Sequence, residues 1–119
     1  MYEILSTKNK GTQKIPYIII NERGKAYLNR LSMRLLGPNI KFFQVFIDEN
    51  NCKLMFKPAK ATDKNIRSAI EGRSCTGAAH AGRHVSLPAD PKYIGKHVVL
   101  PRTADALNQN YIEICYKKD

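Results

Sequence analysis

The chain has 119 residues, 43% hydrophobic and 25% charged, the composition of one globular domain whose core is large enough to do without metal or disulfide staples. Its longest uninterrupted apolar run, Tyr17 to Ile20, is far short of the roughly 20 residues that a membrane helix needs. No long apolar stretch follows a basic one at the start, so a cytoplasmic protein with no membrane partner is expected.

In chain order, residues 1–13 end in a polar run, Ser6 to Gln13, that reads as a short strand or an arm. Lys8, Lys10 and Lys14 are placed there to lie along a phosphate backbone. Ile15 to Ile20 is β-branched and aromatic, Asn21 to Gly24 has turn chemistry, and Lys25 to Leu28 resumes an extended pattern, which together predict a hairpin with Pro16 at its start. Asn29 is a favoured N-cap, and the helix it opens has Leu31 and Leu35 on one stripe and Arg30 and Arg34 on another, until Gly37 and Pro38 end it. Ile40 to Ile47 is a strand with apolar residues on both faces, expected to be buried between two layers. Asp48 to Asn51 turns it back into a partner strand, Cys52 to Lys57, ended by Pro58.

Beyond Pro58 the pattern weakens. Ala59 to Ile70 fits a helix capped by Asp63, with an apolar face of only Ile66 and Ile70. Glu71 to Gly82 is glycine-rich and reads as a loop. Arg83 to Leu87, Lys96 to Leu100 and Tyr111 to Tyr116 are strand candidates, separated by Pro88 to Pro91 and by Pro101 to Asn110. The fold class expected is α+β, mostly β, with one short helix. Its organisation is a DNA-binding and dimerisation region over 1–60, a linker or loop with a weak helix over 61–82, and a β-rich C-terminal module over 83–119.

Charge is the strongest global signal. Twenty Lys and Arg against ten Asp and Glu leave +10 at pH 7, which favours a polyanionic partner, nucleic acid first. Residues 1–60 carry eleven basic and four acidic side chains, a balance of +7, whereas residues 61–119 carry nine and six, a balance of +3. Arg23, Lys25, Arg30 and Arg34 fall within twelve consecutive positions that hold no acid, Glu22 standing just before them. A two-stranded ribbon can enter the major groove, where an arginine fork suits guanine and lysine meets phosphate as a point charge. The same arginines also fit the wet stripe of an amphipathic helix. Tyr17 and Tyr27 have the chemistry to stack on bases, although their alternation suits half-buried strand positions.

The segment from Ile19 to Gly37, with the apolar strand after it and Leu54-Met55-Phe56-Lys57-Pro58, resembles the AbrB and MazE class of swapped-hairpin DNA-binding domains over about residues 15–58. Those domains run a basic strand into a short helix ending in leucine and glycine, then a hairpin finishing near a basic residue and proline. The resemblance implies a homodimer whose hairpins interlock into one β-barrel and read DNA with strand and loop arginines. It points to a transcriptional regulator or an antitoxin-like factor.

Other constellations imply less. Cys75, His80 and His84 have the spacing C-x4-H-x3-H, but a structural zinc needs a fourth ligand, so no metal is assigned. Cys52, Cys75 and Cys115 are odd in number and form no C-x-x-C pair, which fits reduced thiols. Gly72 to Gly77 has the makings of an anion nest, with Arg73, Ser74 and Thr76 as its polar groups, yet Ala78 stands where a P-loop has lysine. No G-x-S-x-G, H-E-x-x-H or paired-carboxylate region is present, so neither an enzyme nor a cofactor is expected. The partner expected is nucleic acid, duplex DNA ahead of RNA. A protein-interaction module meeting an acidic protein, for example a mobile-element inhibitor, is the alternative, and RNA bound on the β-surface and its tyrosines is another.

Overall fold

β-branched side chains favour extended backbone. In the computed structural model, which describes residues 15–71 and 79–117, Tyr17–Ile20 is strand β1. The expected turn follows: Asn21 Oδ1 accepts from the amides of Arg23 and Lys25 at 2.9 Å each. Strand β2, Lys25–Leu28, then returns with Ile18 opposite Leu28 and Ile20 opposite Ala26. Gly24 is required twice over. Its φ is +85, and a Cβ there would lie 2.3 Å from the carbonyl oxygen of Leu87. Helix α1, Arg30–Leu36, starts where the cap was expected and turns Met33 and Leu36 inward. Gly37 ends it at φ 121, outside the left-handed helical basin, with its amide donating to the Met33 carbonyl.

The second hairpin is also as expected: β3, Phe42–Asp48, pairs with β4, Lys53–Pro58, in a register running from Phe43 opposite Pro58 to Asp48 opposite Lys53. The two-sided burial expected of β3 is not found. Phe43 is fully buried, but Phe46 and Ile47 are exposed, because the core lies against one face of the strand and only its first half. The helix expected between Ala59 and Ile70 is absent as well. Lys60 to Asp63 forms a turn, in which the Lys60 amide donates to Asp63 Oδ2 at 2.8 Å. Arg67–Ser68 (β5) and Ile70–Glu71 (β6) instead take up free strand edges, pairing with β3 and with the later strand Arg83–Ser86 (β7). Two isoleucines are too thin a stripe to bury a helix.

Gly95–Val98 (β8) and Ile112–Cys115 (β9) complete the strands. The connector between them holds a second helix, α2, Ala104–Gln109, with the Thr103 side chain as its N-cap. All the strands among the described residues lie in two antiparallel sheets, ordered β6-β7-β2-β1-β8 and β5-β3-β4-β9. The molecule is therefore mostly β, with few helices. Strands from the last third of the chain join both sheets: β7 and β8 flank the first hairpin, and β9 extends the second. Ile18, Ile20, Leu28 and Val85 of one sheet share a single core with Phe43, Leu54, Phe56, Ile112 and Ile114 of the other, closed at one end by Met33 and Leu36. Phe43 and Phe56 meet edge to face at 6.4 Å. No helix among the described residues is long and apolar enough to cross a membrane.

Candidate nucleic-acid interface

The sequence placed a cationic surface on the first hairpin and its helix, and the junction between them is built around one buried amide. Asn29 Oδ1 accepts from the amides of Tyr17 at 3.1 Å and Ser32 at 3.0 Å and from the Ser32 hydroxyl at 2.8 Å, while its Nδ2 donates to the Ile15 carbonyl. One side chain thus caps α1 and ties it to the start of β1. The far end of α1 is held from a distance. Arg102 Nη1 donates to the Leu35 carbonyl at 2.6 Å and Asn110 Nδ2 to the Leu36 carbonyl at 2.8 Å. These are two of the carbonyls that a helix C-terminus leaves unpaired.

On this frame Arg23, Lys25, Arg30 and Arg34 are all exposed. They form two clusters rather than one. Arg23 and Lys25 stand at the turn end of the hairpin, and Arg30 and Arg34 share the outer stripe of α1 beyond the other end of β2, roughly 16 Å away by strand rise. Among the described residues, none of the four is in an ion pair. The carboxylates that do pair are engaged elsewhere: Glu71 with Arg83 at 3.6 Å, and Glu49 and Asp90 with Lys92 at 3.9 and 3.7 Å. Lys14 lies outside the described residues, as do Arg73, Ser74 and Thr76 of the expected anion loop.

The register adds residues that sequence reasoning did not bring to this surface. Side chains directly opposite one another in an antiparallel pair point to the same face. Ile19 faces Tyr27 and Lys96, Tyr27 faces His84, and Lys25 faces Ser86. His84 therefore sits beside an aromatic ring, with centroids 5.1 Å apart and planes inclined by 43°. Burial, and then the positive charge of Lys25, hold its imidazole below the ordinary value. Lys96 places Nζ 4.4 Å from the centre of the Tyr17 ring. Tyr27 is half-buried, as alternation suggested, whereas Tyr17 is buried. No local signal exists for Lys96 or His84 as members of this face, because both arrive by pairings between strands distant in the chain.

The remaining candidates disperse. Of the C-x4-H-x3-H set, Cys75 is outside the described residues, and among the described residues no three His, Cys, Asp or Glu side chains converge on a metal position. His97 is interior and uses Nε2 to donate to the Tyr93 carbonyl at 2.7 Å. Arg83, 3% exposed, is also structural, donating to the carbonyls of Ile40 and Ala81. A cavity of about 450 Å³ lined by Glu49, Cys52, Lys92, Tyr116 and Lys117 opens beside the start of β4. Its Lys92 is already neutralised by Glu49 and Asp90. Comparison with protein-family models, with curated proteins and with solved structures finds no match to this chain.

Proposed function

We propose that this is a small, non-catalytic nucleic-acid-binding protein that docks on duplex DNA through two cationic clusters, Arg23 with Lys25 and Arg30 with Arg34. The observation that carries the reading is that all four side chains are exposed on one continuous β1–β2–α1 unit, with no ion pair among the described residues, in a chain of net charge +10. Unpaired surface cations keep their full attraction for phosphate and release counterions when they meet it. Arg30 and Arg34, one helical turn apart, supply a rigid pair of forks for adjacent phosphates or base edges. The hairpin supplies a second point of attachment.

A homodimer in which hairpins interlock into a swapped-hairpin barrel, acting as a transcriptional regulator or antitoxin-like factor, belongs to the same proposal. It is supported by the order β1–β2–α1–β3–β4, with the two hairpins assigned to different sheets, and by the uncovered Phe46 and Ile47 at the end of β3. The test is binding to a mixed-sequence duplex at several salt concentrations. The slope of log K against log salt should fall by about 0.9 for each phosphate contact removed, so Arg23→Ala and the Arg30→Ala/Arg34→Ala pair should flatten it and Lys92→Ala should not. Equal slopes in all four proteins would refute the assignment, and a single-chain mass by light scattering would refute the dimer.

A further inference from the structure

The outer face of the five-stranded sheet is unlike an ordinary wet face. Register alone sets Ile70, His84, Tyr27, Ile19 and Lys96 in one row across all five strands. The flanking rows add Lys25 opposite Ser86 on one side and Tyr17 opposite Val98 on the other. The row holds aliphatic, aromatic and cationic side chains, with the two rings adjacent, and none of the positions named in these rows is Asp or Glu. Ile19, Val98 and Ile70 remain 39%, 51% and 58% exposed, although each belongs to a residue type that usually seeks the core.

The ring of Tyr27 is fixed by its surroundings. Its hydroxyl occupies the space above Gly82, where a Cβ would lie 2.5 Å from the oxygen. The ring therefore leans across the glycine and against His84 instead of standing away from the sheet. A tilted aromatic pair, a neighbouring isoleucine and two flanking lysines make a platform for flat apolar groups joined by a negatively charged backbone.

From this juxtaposition we infer that the outer face of the β6-β7-β2-β1-β8 sheet binds single-stranded nucleic acid, taking unpaired bases on the Ile19, Tyr27 and His84 row and backbone phosphates on Lys25 and Lys96. The inference rests on the reading that the chain binds nucleic acid, and it names a second form of that ligand. Charge and shape select this occupant. In a duplex the base faces are stacked away and cannot meet a sheet, whereas unpaired bases present theirs. An acidic protein would satisfy the lysines and leave the apolar row without a specific partner. A second copy of the chain on this face would set Lys25 and Lys96 against cations, with no carboxylate in the rows to receive them. Lys25 belongs both to this face and to the duplex-binding cluster, so a strand on the platform runs directly into the Arg23 turn.

The experiment is fluorescence anisotropy of the full chain with labelled 12-nucleotide oligothymidylate and oligouridylate and with a mixed-sequence 12-base-pair duplex, all at one salt concentration. Wild type should bind a single strand. Ile19→Asp and Lys96→Gln should each weaken that binding by about tenfold and change duplex binding less than twofold, while the Arg30→Ala/Arg34→Ala pair should do the reverse. Lys96→Gln lies at an exposed position and keeps the test valid should Ile19→Asp fail to fold. Polyglutamate at matched charge concentration, which has no bases, should not displace the oligonucleotide. Duplex binding without single-strand binding, single-strand binding indifferent to both variants, or equal displacement by polyglutamate would each overturn the inference and leave the duplex reading standing. Failure to bind either nucleic acid would remove both.

Discussion

Replacing Asn29 by alanine removes the group on which the hairpin and helix α1 converge, and the cost follows from its partners. Oδ1 accepts three hydrogen bonds and Nδ2 donates one, at a residue only 2% exposed. Loss of the N-cap alone costs about 1 kcal/mol. The substitution also strands the Tyr17 amide in a buried setting, and an unsatisfied buried donor adds about 1–3 kcal/mol. The Ser32 hydroxyl retains the Tyr17 carbonyl as a partner at 3.1 Å, so it adds little. The expected total is about 2–4 kcal/mol, or roughly 8–16 °C in Tm at about 4 °C per kcal/mol for a domain of this size. Thr103→Ala is the matched control, since Thr103 caps α2 through the Ala106 amide at 3.1 Å from an exposed position and should cost only about 1 kcal/mol. Urea unfolding with a shared slope m would give both values. Equal losses for the two variants, or less than about 1 kcal/mol for Asn29→Ala, would refute the idea that this side chain ties β1 to α1.

Two glycines with equally tight neighbours should behave oppositely. Gly24→Ala meets positive φ and the backbone of Leu87, neither of which can yield, and should cost about 2–4 kcal/mol in chemical denaturation. Gly82→Ala meets only the outer end of the Tyr27 side chain, so it should leave Tm nearly unchanged while altering the near-ultraviolet tyrosine dichroism. Unaltered dichroism with unaltered Tm would show that the ring does not depend on the glycine. Stability should also depend on pH through His84. Burial and Lys25 hold its folded-state pKa below the ordinary 6.5, so below pH 6.5 the unfolded chain binds the proton more readily than the folded one. The contribution is complete above that value and is lost as pH falls through the lowered one. Tm should decline as pH falls below 6.5, and His84→Gln should flatten the decline; an identical pH profile in the variant would rule out this histidine as its source.

Local chemistry made the first half of the chain readable. The β-branched run before Asn21, the turn residues through Gly24, the Asn29 cap and the glycine-proline stop all act within a few residues of the structure they specify, and β1, β2, α1, β3 and β4 follow from them. The Ile66 and Ile70 spacing suggested a helix, but free strand edges on β3 and β7 outcompeted it, and propensity carries no information about available edges. Helix α2 carries almost no amphipathic signal, because Leu107, its largest apolar residue, faces solvent. His84 read as part of a metal spacing, whereas its place beside Tyr27 comes from a strand pairing 57 positions along the chain.

Charge, periodicity and capping are properties of neighbouring residues, and they are enough to set the cationic character of the first hairpin, the arginine stripe of α1 and the caps and turns that present them. Tertiary structure alone decided that β7 and β8 flank that hairpin, that Arg102 and Asn110 hold the end of α1, and that Lys96 and His84 share a face with Lys25 and Tyr27. Those neighbours are chosen by burying two apolar faces against each other, a condition that the whole chain satisfies at once and no single segment encodes.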